Sequence, residues 1–312
     1  MVLDLATKSI FHDIYDLIRL PLCIMGSLAG FTAGLIVLLV QNPGYNIITL
    51  LSQYWQLGAL GLSIPFLIVG ASMAINDYHD YEADRINGRI DRPLVRNSKL
   101  KPQYVLYGSL SMIGLGVLIS LFLFNNNFLV PLGVIIFSFL SISYNLWTKE
   151  KGILGNITVA TSNTAPYLLT LVALDAQDLD TILVVIVMAI IVFCGVLGRE
   201  LVKGIMDIEG DRKTDSRTFA VQYGPKRAVQ LASFFFILLI ILIPIPMFIK
   251  FQHNYLYLIL MVITVFLFLY TVGILYNDPS IKSGRKARSY TRTALWIGSA
   301  AFLVGAIALS GV

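Results

Sequence analysis

Nine apolar runs dominate this chain, near residues 17–40, 57–76, 104–124, 128–147, 154–174, 181–203, 228–249, 255–276 and 292–311. A bilayer crossing needs about 20 mostly apolar residues. Lipid offers backbone amides no partners, so runs of this length fold as helices. The links between them are short, and the 312 residues leave no room for a separate soluble domain. Only 13% of the residues are charged and 57% are hydrophobic, against about 25% charged in a soluble domain. The expectation is an all-α, polytopic membrane protein with one domain over 1–312 and nine transmembrane helices around a central cavity. Cys23 and Cys194 both lie in apolar runs, and only three His accompany them. A disulfide framework and a zinc site are therefore excluded. Met1–Asp16 lacks the basic-then-apolar order of a cleavable signal peptide. It reads as an amphipathic entry segment with Ile10, Phe11, Ile14 and Tyr15 on one face.

Charge gives the topology. With the N-terminus inside, the inner segments are the N-terminus and the loops near 77–103, 148–153, 204–227 and 277–291. Of the 23 Lys and Arg, all but Lys250 lie in these segments or at helix ends beside them. Such asymmetry follows the positive-inside rule. It predicts a cytoplasmic N-terminus and active side in the cell membrane, with the C-terminus outside. The basic balance then reflects topology and anionic ligands or lipid headgroups, and no nucleic acid.

Ten of the 18 acidic residues sit in two inner segments, 76–91 and 199–215. Asn76, Asp80 and Asp84 recur every four residues, as do Asp207, Asp211 and Asp215. On a helix each set forms one stripe, and like charges at that spacing repel. A cation relieves the repulsion, and oxygen-only ligands select Mg²⁺ or Mn²⁺ over zinc. Two stripes suggest two ions, with a phosphate-bearing substrate between them. Arg199, Lys203 and the basic 85–101 loop supply charge for that phosphate. The two sets are offset by a constant 131 residues. That offset suggests two four-helix units, about 17–147 and 154–276, plus a ninth helix at 292–311. The middles of the spans carry no acid, which argues against the midplane site of a cation transporter.

At these residues the chain resembles the UbiA superfamily of intramembrane prenyltransferases. Asn76-Asp77-Tyr78-His79-Asp80-Tyr81-Glu82-Ala83-Asp84 and Asp207-Ile208-Glu209-Gly210-Asp211 match its NDxxDxxxD and DxxxD motifs. Arg92-Pro93, Arg19 with Pro21, and Tyr144 with Lys149 resemble further family features, although Leu22 stands where relatives often have Asn. The resemblance implies Mg²⁺-dependent alkyl transfer from a polyprenyl diphosphate to a lipophilic acceptor. Asn76, Asp80, Asp84, Asp207 and Asp211 would hold metal. Arg92, Arg199, Lys203, Arg19 and Lys149 would bind the diphosphate or an acceptor phosphate. Tyr144, with Tyr78 and Tyr81, would wall an allylic cation, and Asp77 or Asp84 would take the acceptor proton. His79 lies about 100° around the helix from Asp80. Gly198–Lys203 and Asp207–Thr218 are similar to archaeal-type enzymes that move a geranylgeranyl group from its diphosphate to geranylgeranylglyceryl phosphate. Cations for that acceptor's phosphate would come from Arg85, Arg89, Lys149 and Lys151. An aromatic acceptor of quinone synthesis stays open.

Overall fold

A computed structural model describes residues 10–310, apart from 87, 98–99, 125, 149–150, 214–216 and 253 and the side chains of 83 and 213. Lys149, Asp215 and His253 thus lie outside the described residues. The helices are α1 (Ile10–Ile18), α2 (Leu20–Gln41), α3 (Ile47–Gln53), α4 (Ile64–Ile86), α5 (Pro93–Arg96), α6 (Pro102–Leu123), α7 (Leu129–Ser143), α8 (Ile153–Ser162), α9 (Ala165–Ala173), α10 (Leu179–Lys213), α11 (Phe219–Tyr223), α12 (Pro225–Leu242), α13 (Ile245–Ile249), α14 (Tyr255–Asn277) and α15 (Ile281–Ala308). Gly58–Ser63 and Tyr144–Thr148 are π-helical. No strand occurs among the described residues.

Eight helices are long and apolar enough to cross a membrane among the described residues. The expected fifth span is instead two short helices, α8 and α9, joined at Asn163–Thr164. The cause is local. Pro166 has no N–H to give the carbonyl four residues earlier. Asn163 and Thr164 turn their side chains onto the carbonyls of Val159 and Thr161, a competition that weakens helix.

Neighbouring helices close a ring. α2 packs on α4, α4 on α6, α6 on α7, and α7 on the α8–α9 pair. That pair meets α10, which packs on α12; α12 meets α14, α14 meets α15, and α15 returns to α2. Small residues permit the closest approaches. A Cβ on Gly61 would stand 2.6 Å from the Phe31 Cα, so α2 and the first π segment touch backbone to backbone.

Two helix ends depart from expectation, and both shape the site. α10 is one rod of 35 residues, about 52 Å long. That exceeds the roughly 30 Å hydrocarbon core, so its last turns project beyond the bilayer with the second motif. α15 starts at Ile281, not near 292. Its first turns are too polar for a hydropathy reading, yet Ser280 caps them by accepting from the Ser283 amide. Asp278 braces the cap from the Ser280 and Ser283 hydroxyls.

α1 carries the expected amphipathic face. Ile10, Phe11, Ile14 and Tyr15 are exposed, while Asp13 and Leu17 are buried. Asp13 is 1% exposed and accepts from Arg96 Nε at 2.9 Å and from Asn97 Nδ2. Arg96 also donates to Asp16 at 2.9 Å. This clamp ties α1 to α5 and so fixes the loop that carries Arg89 and Arg92. At the opposite end Lys250, the exceptional cation, meets Asp178 at 2.8 Å. Hydrogen bonds from Lys250 and Thr181 hold the Asp178 carboxyl down at about 2.

Candidate active site

The ring encloses a cavity of about 890 Å³ that reaches from the motif end into the bundle. Asn76, Asp80 and Asp84 of α4 line one wall. Lys203, Asp207 and Asp211 of α10 line another. The two aspartate sets, 131 residues apart in sequence, thus share one space, because α4 and α10 both continue past their apolar segments as helix.

The carboxylates of α4 differ in their surroundings. Asn76 Nδ2 donates to Asp80 at 3.0 Å. Asp84 lies between Arg92 and Arg89, at 3.5 and 3.8 Å. Burial pushes the Asp84 carboxyl above the usual carboxylate range, while Arg92 and Arg89 pull against it. Arg89 also donates to Asp91 at 3.0 Å, and that bond holds Asp91 below the usual range.

Asp77 is absent from the cavity wall. It is 4% exposed and receives Arg19 at 3.1 Å and Arg92 at 3.4 Å. The expectation of a base at Asp77 therefore meets a carboxylate enclosed by two guanidinium groups. Arg19 sits in the left-handed region at φ 52 between α1 and α2. That bend turns its guanidinium to Asp77, Asn76 and the Met73 sulfur.

Tyr144 lines the cavity, carried there by the second π segment, a local widening of the helix common at functional sites. Lys203 is near enough for the two groups to interact electrostatically, and it pairs with Glu200 at 3.6 Å. Tyr78 and Tyr81 do not wall the cavity; they pack on the cluster of Leu17, Ala74, Leu94 and Val105. His79 is exposed and stacks edgewise on Tyr78. Lys151 and Arg85 do not line the cavity, and Arg85 pairs with Glu82. Among the lining residues that escaped the sequence reading are Asn145, Arg285 and Arg288. Asn145 Oδ1 is buried without a hydrogen-bond partner. The two arginines were hidden in what reads as a basic loop.

No three His, Cys, Asp or Glu side chains among the described residues converge to hold an ion by themselves. The cavity instead offers oxygen donors in pairs, Asp80 with Asp84 and Asp207 with Asp211. This set fits Mg²⁺, which keeps waters and takes one or two carboxylates plus substrate phosphate oxygens.

Comparison with known proteins agrees with this site. Residues 27–296 match the sequence profile of the UbiA prenyltransferase family. The chain belongs to that family. As a UbiA-family protein it is a prenyltransferase embedded in a membrane. Digeranylgeranylglyceryl phosphate synthase of Archaeoglobus fulgidus is 31% identical over 231 residues, which cover 74% of this chain and 72% of that protein. Its counterpart in Methanosphaera stadtmanae is 33% identical over 55% of this chain and 60% of its own length. A solved digeranylgeranylglyceryl phosphate synthase structure superposes with a TM-score of 0.71 at 27% identity, over 96% of this chain and 99% of that one. A UbiA homologue from Archaeoglobus fulgidus, solved with DMAPP and Mg²⁺, shares the fold at 17% identity. Its TM-score is 0.67, over 96% of this chain and 99% of that one.

Proposed function

We propose that the protein transfers a geranylgeranyl chain from its diphosphate to the hydroxyl of geranylgeranylglyceryl phosphate, in ether-lipid synthesis. The observation that carries this reading is the convergence of Asp80 and Asp84 with Asp207 and Asp211 on one cavity whose depths are apolar. The similarity to digeranylgeranylglyceryl phosphate synthases supports the acceptor. Each aspartate pair would hold one Mg²⁺, with Asn76 beside the first. Metal bound there would neutralise diphosphate charge and make it a better leaving group.

The residues of the chain do the rest. Lys203 stands beside the second pair and takes diphosphate charge as it develops. Arg92 and Arg19 hold α4 and its loop in register through Asp77 and Asp84. The donor's allylic C–O bond breaks, and the acceptor oxygen forms the new C–O bond. The hydroxyl proton leaves to a cavity carboxylate or water, and diphosphate departs. Tyr144 and the apolar wall keep bulk water from the electron-poor carbon. In this reading the α8–α9 pair serves as a ninth crossing, with the motif end in the cytoplasm and the C-terminus outside; the distribution of Lys and Arg supports that orientation.

The test is purified protein with Mg²⁺, geranylgeranyl diphosphate and competing acceptors, read by mass spectrometry. The glyceryl phosphate should be alkylated with one diphosphate released per product. Efficient prenylation of 4-hydroxybenzoate or a dihydroxynaphthoate, with the glyceryl phosphate ignored, refutes the acceptor. Flux of Mg²⁺ or lipid across vesicles without diphosphate release refutes the reaction.

A further inference from the structure

The cavity's cations fall into two groups. Arg19, Arg89, Arg92 and Lys203 are engaged by Asp77, Asp84, Asp91 and Glu200. Arg199, Arg285 and Arg288 also line the cavity, yet among the described residues none of them forms an ion pair. Arg199 Nε is buried with no hydrogen-bond partner, and an unmade bond by a buried charged donor is costly. The charges of Arg288 and Arg292 act on Arg199, and the neighbouring carboxylate, Glu200, is shared with Lys203. Like charges gathered around an unpaired donor describe a seat for an anion. Guanidinium forks match phosphate geometry closely.

The wall beyond them says what the anion is attached to. Arg285 and Arg288 lie at the motif end of α15, and Leu295, Gly298 and Phe302 line the same cavity farther along. Arg288 to Phe302 is 14 residues, about 21 Å of helix. A basic end followed by a long apolar wall fits an anionic head on a hydrocarbon chain. The donor diphosphate belongs with the aspartate pairs and their metal, so a second phosphorylated lipid is required to use this seat.

We propose that Arg199, Arg285 and Arg288 bind the phosphomonoester of the acceptor lipid, with its chain along the apolar part of α15. The proposal rests on the prenyl-transfer reading above and names the residues that select a phosphorylated acceptor. These side chains set which lipid is alkylated and leave the metal clusters alone.

The test is the double variant R285Q/R288Q, whose two altered side chains are exposed and leave the packed face of α15 intact. KM for geranylgeranylglyceryl phosphate should rise tenfold or more, since each lost charged hydrogen bond is worth about that factor. KM for the donor and the Mg²⁺ dependence should stay within about twofold. Wild type should strongly prefer the phosphorylated acceptor to its dephosphorylated alcohol; the variant should treat them nearly alike. R285K/R288K should recover part of the preference, and K286Q, an exposed residue of the same helix that does not line the cavity, should keep all of it. A second readout needs no turnover. In EDTA the phosphorylated acceptor should raise the wild-type melting temperature while the alcohol does not, and R285Q/R288Q should lose the rise. A higher donor KM with an unchanged acceptor KM would overturn the proposal and assign these arginines to the diphosphate. Unchanged kinetics and an unchanged thermal shift would overturn it outright. If wild type alkylates no acceptor, the prenyl-transfer reading fails, and the thermal shift in EDTA still decides the anion seat.

Discussion

Replacing Asp13 by Ala tests whether the α1–α5 clamp supports the site. Asp13 is 1% exposed and the Arg96 side chain 6%, so the substitution leaves a guanidinium buried beside an empty place. Breaking a buried ion pair by removing one partner costs about 3–5 kcal/mol. Asp16 remains at 2.9 Å from Arg96 and is itself partly exposed, so the expected loss falls at or just below the bottom of that range, about 2–3 kcal/mol. At about 2 °C per kcal/mol for a chain of this size, the melting temperature should fall by about 5 °C. Cys23 and Cys194 are buried free thiols, and a thiol-reactive fluorophore in detergent reads unfolding as they become accessible. The double variant D13A/R96M, which leaves no fully buried charge without a partner, should be more stable than D13A alone. Because α5 follows directly on Arg92, D13A should also lower kcat/KM several-fold at temperatures where it stays folded. A D13A melting temperature within 1 °C of wild type, or a double variant no better than the single one, refutes the reasoning.

Chelation with EDTA should abolish prenyl transfer, and Mg²⁺ should restore it; full turnover in chelator would remove the metal from the mechanism. D77N should reduce kcat/KM about tenfold or more because two guanidinium hydrogen bonds lose their charged acceptor, with the shape of the pH–rate profile retained. Loss of the profile's acidic limb in D77N would return Asp77 to the role of base. The Asp178 carboxyl is depressed from 3.8 to about 2, so its contribution is present above pH about 4 and lost as pH falls toward 2. D178N should flatten the stability curve in that window only, by a small amount because the pair is partly exposed; an equal acid slope in D178N would show that the pair contributes nothing.

Much of this architecture is visible along the chain because lipid imposes it residue by residue. Helix type, the rough span positions and the two aspartate stripes all depend on local spacing, and α4 and α10 present them as spacing requires. Pairings across the fold are another matter. Arg96 finds Asp13 across 83 residues, and Arg19 finds Asp77 across 58. No local period encodes either. Hydropathy also hides a helix whose first turns are charged, which is why Arg285 and Arg288 read as loop. Aromatic identity alone did not separate Tyr144, which a π segment aims at the cavity, from Tyr78 and Tyr81, which face a hydrophobic cluster.

The break between α8 and α9 has a consequence for the empty space itself. Pro166 leaves the Ser162 carbonyl without its helical donor, at a depth where lipid could not satisfy it. Ser162, Asn163 and Pro166 all line the cavity, so water there can reach that carbonyl. Before substrate fills it, the chamber thus leaves room to solvate its own wall. Filling it with bulky apolar side chains would strand backbone polarity in the bilayer. Substituting Pro166 by Leu, by contrast, would restore a donor and favour a straight helix that narrows the chamber. The fold keeps its interior hollow for the same chemical reason that it keeps its exterior greasy.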